Sequence, residues 1–307
     1  MRRRVAVAAW AGLALALAAG PAAAATTSAA FPDAGGGTRS IALGGHLVAL
    51  PTDDHALETN AARLVYGAGS FSAQVDRLDP GLDLWRGRIG VALGIGPSAA
   101  EPLQATRPRR MAFGASIAGQ GLTLIEGSSY REATFSAGLA WAPTNLGAIG
   151  VAARYQRSVS DVPGAEAAGF GVDVGLSFDL SDHFDVALSV KDAFGRTTFE
   201  NSDDEDRAAR LTLGVAGVRH RRWQAELDYV LQHNSTSAVA GGAEFHVVPG
   251  VLDLRAGVSR EMRGQARIVP SAGAGLSFGA FRMDYAFRFD PDGAFETQHR
   301  ASLGARF

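Results

Sequence analysis

Residues 170–180 read Phe-Gly-Val-Asp-Val-Gly-Leu-Ser-Phe-Asp-Leu, with an apolar side chain at every even position and Gly, Asp or Ser at every odd one. Successive side chains of a β-strand point to opposite faces, so this run is a strand with one greasy side and one polar side. After Ser181-Asp182-His183 the pattern resumes, Phe184, Val186, Leu188 and Val190 alternating with Asp185, Ala187, Ser189 and Lys191. Two such runs around so short a link make a hairpin. The same rule holds over 223–231, over 281–289, and over 299–307, where the chain stops on Phe307.

Alternation alone also suits a soluble sandwich, so the polar rows arbitrate. Here they mix glycine with both signs of charge, and lysine is nearly absent. Trp85, Trp141, Trp223, Tyr155, Tyr229 and Tyr285 stand at the ends of apolar rows, as aromatic girdles do in barrels that cross lipid. An all-β, transmembrane antiparallel β-barrel is therefore expected over 82–307. Closure is the physical reason: each backbone polar group left unpaired in hydrocarbon is costly, and a closed sheet has no edge.

Connections supply a strand count. Long polar links are read at 96–107, 128–131, 158–167, 194–206, 233–236, 261–267 and 290–296. Short ones fall near 118–120, 142–145, 181–183, 219–221, 248–250 and 279–280. Outer-membrane barrels keep short turns in the periplasm and longer loops outside. Seven external loops imply about 14 strands, with both barrel ends in the periplasm.

Composition removes other classes. The 29 Lys+Arg and 31 Asp+Glu residues leave no basic surplus for nucleic acid. With no cysteine there is no disulfide frame, thiol nucleophile or Cys-based metal site. No cofactor is called for. Residues 1–25 read as a signal peptide: Arg2, Arg3 and Arg4, an apolar stretch from Val5 to about Ala19, then an alanine run with cleavage near Ala25. Residues 26–36 form a small, polar lead-in, and the expected location is the outer membrane, in contact with its lipid.

Between that lead-in and the strands, residues 37–81 have a different character. Gly44-Gly45 permits close backbone approach, and Asp53-Asp54 before HALETNAARL reads as an N-capped helical turn. Residues 37–64 resemble the N-terminal signature of the PorV/PorQ proteins within the FadL-like superfamily of long-chain fatty-acid transporters. The matching residues are Arg39, Gly44, Gly45, Val48, Ala49, Leu50, Asp53, Asp54, Ala56, Asn60, Ala62 and Leu64. Ala61 and Arg63 depart from the pattern, standing where the family has proline and commonly glycine. Residues 169–180 resemble the family's mid-barrel strand, and 283–307 its closing hairpin. The resemblance implies that the N-terminal segment plugs the lumen. It also implies passage of small hydrophobic molecules or, as in PorV, assistance to exported protein. The C-terminal strand ending on Phe307 is the expected signal to the barrel-assembly machinery.

Enzymatic chemistry finds little support. His299 and Ser302 have opposite parity and cannot meet; His246 shares its face with Glu244 but with no nearby serine. Asp53, Asp54 and His55 are explained by helix capping, and the acidic run 201–207 by a solvated loop lacking the glycine turn of an EF-hand. The notable polar positions are lumen charges: Arg154, Asp173, Glu226, Asp228, Glu244, Asp253, Arg255, Arg282, Asp284 and Arg300. Charges in a low-dielectric interior must be hydrated or paired. They either brace barrel and plug or line a wet route.

Overall fold

Fourteen antiparallel strands close on themselves around the N-terminal segment. The computed structural model describes residues 36–50, 53–79, 84–96, 108–123, 129–161, 164, 166–181, 183–219, 222–232, 235–262, 266–289 and 297–307. The expected signal peptide and most of the lead-in lie outside these residues. The strands are β1 (Ser70–Asp79), β2 (Leu84–Ile95), β3 (Met111–Thr123), β4 (Ser129–Thr144), β5 (Gly147–Ser160), β6 (Ala167–Ser181) and β7 (Phe184–Phe199). They continue as β8 (Arg210–Arg219), β9 (Trp223–Gln232), β10 (Ser235–Val248), β11 (Leu252–Glu261), β12 (Arg267–Phe278), β13 (Phe281–Phe289) and β14 (Thr297–Arg306). A two-residue piece, Glu205–Asp206, adds to the outer end of β7.

Each strand pairs with its sequence neighbour, and β1 pairs with β14 from Ser70↔Arg306 to Arg77↔His299, so the sheet has no free edge there. The apolar rows stand outward around the whole wall: Ile89, Phe135, Phe170, Leu227, Phe281 and Leu303 are among the many large side chains left exposed. An apolar surface of that extent on a closed barrel is a lipid-facing belt, not a water-facing one. Among the described residues no helix is long and apolar enough to cross a membrane.

The lumen is filled by the N-terminal segment. It contains α1 (Thr38–Ala42), turns and bends over 43–50, α2 (Ala56–Thr59) and a 3-10 helix (Ala61–Tyr66). Gly44 and Gly45 take φ of +102° and +91°, values that fold the chain back after α1 and that side chains with a Cβ rarely adopt. Leu57, Leu64 and Val65 bury against the wall alanines Ala92, Ala112, Ala140 and Ala148. Leu43, Leu47, Val48 and Leu50 bury against Ala187 and Ala216. Small inward residues leave the room that the plug's larger ones take up.

Three expectations change. The barrel begins at Ser70, not at 82: Phe71, Ala73 and Val75 alternate with Ser72, Gln74 and Asp76, so the stretch expected to end the plug supplies β1. The expected turn at 118–120 lies inside β3, where Gly119 and Gly121 pair with Gly87 and Trp85. The count of 14 survives because one missed strand offsets one divided strand. The connection at 96–107 is not with the other long ones. Ile95 pairs with Met111 at the same barrel end as Ser70 and Arg306, so this link joins the short-turn side, although residues 97–107 themselves lie outside those described.

One irregularity breaks the wall. In the β6–β7 pair, Val174 faces Val190 but Val172 faces Phe194, so β7 bulges with three residues, Lys191 to Ala193, opposite Asp173 alone. Within it Asp192 has φ +50°, the one positive value on a non-glycine residue among those described. On its other side β7 pairs with β8 only as far as Lys191↔Arg210.

Candidate functional site: the plug seat and the charged lumen

The plug is seated by polar contacts as well as by its apolar residues. Asn60 adopts an extended backbone between the two short helices, which divides the single helical turn expected there. Its side chain, 1% exposed, donates from Nδ2 to Val48 O and to Leu176 O, both at 3.0 Å, and accepts from Ala62 N at 3.1 Å. Plug and wall are thus joined through one amide. A methyl group on Gly175 would overlap Asn60 Oδ1, so this approach requires glycine in β6.

Glu226 of β9 makes a second seat. Its carboxylate accepts from three consecutive backbone N–H groups: Val48 at 2.7 Å, Ala49 at 2.6 Å and Leu50 at 2.8 Å. Consecutive amides converging on one anion form a nest. Asp228, two residues on and facing the same way, is buried, and neither of its oxygens has a hydrogen-bond partner among the described residues. Arg39 completes this side, its Nε donating to Glu244 Oε2 at 2.9 Å and its Nη1 to Leu50 O at 3.0 Å.

The acids expected as helix caps do other work. Asp53 accepts from His55 N at 3.1 Å, a local turn, and α2 has no side-chain cap. Asp54 points at the wall, accepting from Ser72 Oγ at 2.6 Å and from Arg88 Nη1 at 2.6 Å. Arg88 Nε also donates to Glu58 at 2.5 Å. Burial alone would raise the Asp54 and Glu58 carboxyls, but the His55 and Arg88 charges prevail and hold both below the ordinary range. Burial and Arg88 push the His55 ring down; Asp54, Glu58 and Asp53 outweigh them and the net shift is upward. Ser72, His55 and Glu58 lie in an order that suggests a nucleophile, a base and an orienting acid. The hydroxyl proton of Ser72 is directed to Asp54, however, and His55 Nδ1 is 3.9 Å from Glu58. The cluster ties plug to wall.

Among the lumen charges, pairing is the rule. Arg255 reaches Glu244 at 2.5 Å and Asp284 at 2.7 Å, while Arg282 reaches Asp253 and Asp284, both at 2.8 Å. Arg154 bridges Asp173 and Asp192, each at 2.8 Å, across the β7 bulge. Arg300 pairs with Asp76 across the closing seam and donates to Gly36 O at the start of the plug. Glu244, His246 and Asp253 bring ligand-type atoms within 4.8 Å of one another. Each carboxylate there is already occupied by a guanidinium, Glu244 by Arg39 and Arg255 and Asp253 by Arg282, so the trio belongs to the ion-pair network.

Sequence reading passed over Asp76 and Arg88, and marked Arg63 only as a departure from the family pattern. The first two carry the inward parity of β1 and β2, a signal available once 70–79 is read as a strand. Arg63 departs from the PorV/PorQ pattern, and here it donates to Ser177 Oγ at 3.0 Å, lies 3.3 Å from Asp185 and covers the Tyr66 ring. Ala61 packs its backbone on Gly150, where a side chain on the wall would collide. Phe307 donates its N–H to Gly69 O at 2.9 Å at the closing edge.

No protein-family model matches the chain, and no curated protein matches it. Solved structures do. The toluene transporter TbuX of Ralstonia pickettii superposes with a TM-score of 0.63 at 15% identity, covering 90% of this chain and 100% of that one. The monoaromatic hydrocarbon channel CymD gives 0.66 at 12% identity, over 91% of this chain and 99% of that one. A FadL homologue of Pseudomonas aeruginosa gives 0.60 at 13% identity, over 89% and 98%. This chain has the fold of FadL-like barrels.

Proposed function

We propose that this protein is an outer-membrane channel for small hydrophobic molecules, with residues 36–66 as the plug that obstructs its lumen. The observation that carries the reading is the plug seat: Asn60, Glu226 and Arg39 hold the segment inside the barrel by side-chain bonds rather than as part of the sheet. A plug held in this way can shift without unzipping the wall. Likeness of fold to a toluene transporter and to a monoaromatic hydrocarbon channel supports a small apolar solute. The β7 bulge beside Asp192 is where the wall is least regularly paired, and it offers a sideways exit toward lipid. The location read from the sequence, with assembly through the strand ending at Phe307, belongs to the same proposal, as does the absence of enzymatic activity. The plug as the gate and the paired lumen charges as its frame are part of it too.

A PorV-like role with exported protein is the second reading, favoured by the resemblance of residues 37–64. Uptake of a labelled monoaromatic hydrocarbon into proteoliposomes separates the two. The channel reading expects uptake above that of empty liposomes and a changed rate when residues 37–64 are deleted. Uptake equal to that of empty liposomes for both proteins would overturn it.

A further inference from the structure

On the lipid-facing rows of the fourteen strands, outside the β7 bulge, the described ionisable side chains are Arg77, Arg131, Arg157, Arg196, Arg260 and His299. All are basic or can become so. All stand within the last few residues at one rim, the one from which seven of the thirteen strand-to-strand links emerge. The opposite rim presents Trp141, Phe184, Trp223, Phe278 and Phe281 on the same outward rows. A charge facing hydrocarbon is costly at mid-depth and cheap at the interface, so placement at a rim follows from solvation. The gathering of several on one arc of that rim does not.

Four of these residues lie on six consecutive strands. Following paired residues around the wall, His299 on β14 faces Arg77 on β1, Arg77 faces Trp85 on β2, Trp85 faces Gly121 on β3, and Gly121 faces Arg131 on β4. Arg131 faces Val159 on β5, two residues from Arg157. At about 4.8 Å per strand, Arg77 and Arg131 are about 14 Å apart along the arc, with Trp85 and Gly121 between them. Arg77 lies over the Trp85 indole, 5.6 Å from its centroid. Arg77, Arg131 and Arg157 have no ion-pair partner among the described residues. Asp161, near Arg131, is engaged by Ser129 N and Oγ at 2.9 and 2.7 Å. Arg196, by contrast, is paired with Asp204 at 2.8 Å.

The geometry points to a lipid-docking arc in which Arg77, Arg131 and Arg157 bind the phosphate groups of the phosphorylated glycolipid in the external leaflet. Guanidinium groups form charge-assisted, forked bonds to phosphate, and an outward row at headgroup depth places three of them where such lipids must pack. The inference rests on the outer-membrane reading and not on what the channel carries.

The test uses full-length protein in detergent micelles and a bis-phosphorylated lipid A as probe, with bound lipid counted by native mass spectrometry. Arg110 and Arg222 are exposed at the opposite rim, directly before Met111 of β3 and Trp223 of β9; wild type and the control R110Q/R222Q are expected to retain the lipid alike. R77Q/R131Q/R157Q is expected to lose about tenfold or more, and the dephosphorylated glycolipid to be retained poorly even by wild type. Retention by the triple variant equal to wild type, or equal retention of the dephosphorylated lipid, would overturn the assignment. Displacement by inorganic phosphate at the same concentration would also overturn it, by showing an ion site rather than a lipid site. Heat-dependent gel mobility and uptake by the triple variant report on folding and on the channel separately.

Discussion

Arg300 holds both carboxylate oxygens of Asp76 across the seam where the last strand meets the first, its Nη2 at 2.7 Å from Oδ2 and its Nε at 2.6 Å from Oδ1, with both side chains fully buried. Removing one partner leaves an uncompensated buried charge. Asp76→Leu or Arg300→Met alone should cost about 3–5 kcal/mol. The double variant Asp76→Leu/Arg300→Met should recover most of that loss. Urea unfolding in micelles, run as a double-mutant cycle, gives the coupling; additive single losses would refute a mutual pair.

The absence of cysteine makes a plug tether straightforward. A Cβ on Gly114 of β3 would lie 3.6 Å from the Leu57 Cβ, within disulfide range. Leu57→Cys/Gly114→Cys, oxidised, should suppress uptake of a monoaromatic solute, and reductant should restore it. Undiminished uptake with the bond formed would show that passage does not need movement of α2.

Asn60→Ala strands Leu176 O, Val48 O and Ala62 N in a dry interface. Each such group costs about 1–3 kcal/mol. The plug should then exchange its amide hydrogens far faster while the strands stay protected. Gly175→Ala should give the same pattern from the wall side. If neither substitution changes exchange in 56–66, the amide is not the anchor.

The His55 turn should answer to pH. A group whose folded value is raised stabilises fully below its ordinary value, near 6.5, and that contribution fades as pH climbs through the elevated one. Asp54 and Glu58 act oppositely, their contribution present at neutral pH and lost in acid. Exchange of residues 54–60, corrected for its intrinsic pH dependence, should quicken as pH climbs above about 6.5 and be flatter in His55→Gln. An unchanged slope in that variant would remove His55 from the account.

Asp228 and Glu226 crowd one side of the plug seat with no basic side chain paired to either among the described residues. Asp228→Asn removes a like charge without taking away an observed donor, so it should stabilise the protein by about 1 kcal/mol. A clear fall in the urea midpoint would mean that Asp228 has a partner of its own.

Strand architecture was legible because lipid on one side and a polar lumen on the other force a period of two. Residues 170–180 show it without interruption. Where that contrast weakens, the reading failed. In β1 the outward row ends on Arg77, and in β3 Gly119-Gln120-Gly121 imitates a turn. The β7 bulge escaped notice because 194–206 reads as a loop, so Lys191-Asp192-Ala193 falls at what looks like the strand's end. The lumen charges were visible as positions on polar rows. Their partners were not, since Arg39 with Glu244 spans 205 residues of chain and only closure brings them together.

The Arg300 guanidinium that seals the seam also binds Gly36 O at the head of the plug. The two termini of the folded part therefore converge on a single side chain. Such a wiring couples the two ends: the joint is complete only when the leading segment and the final hairpin are both in place.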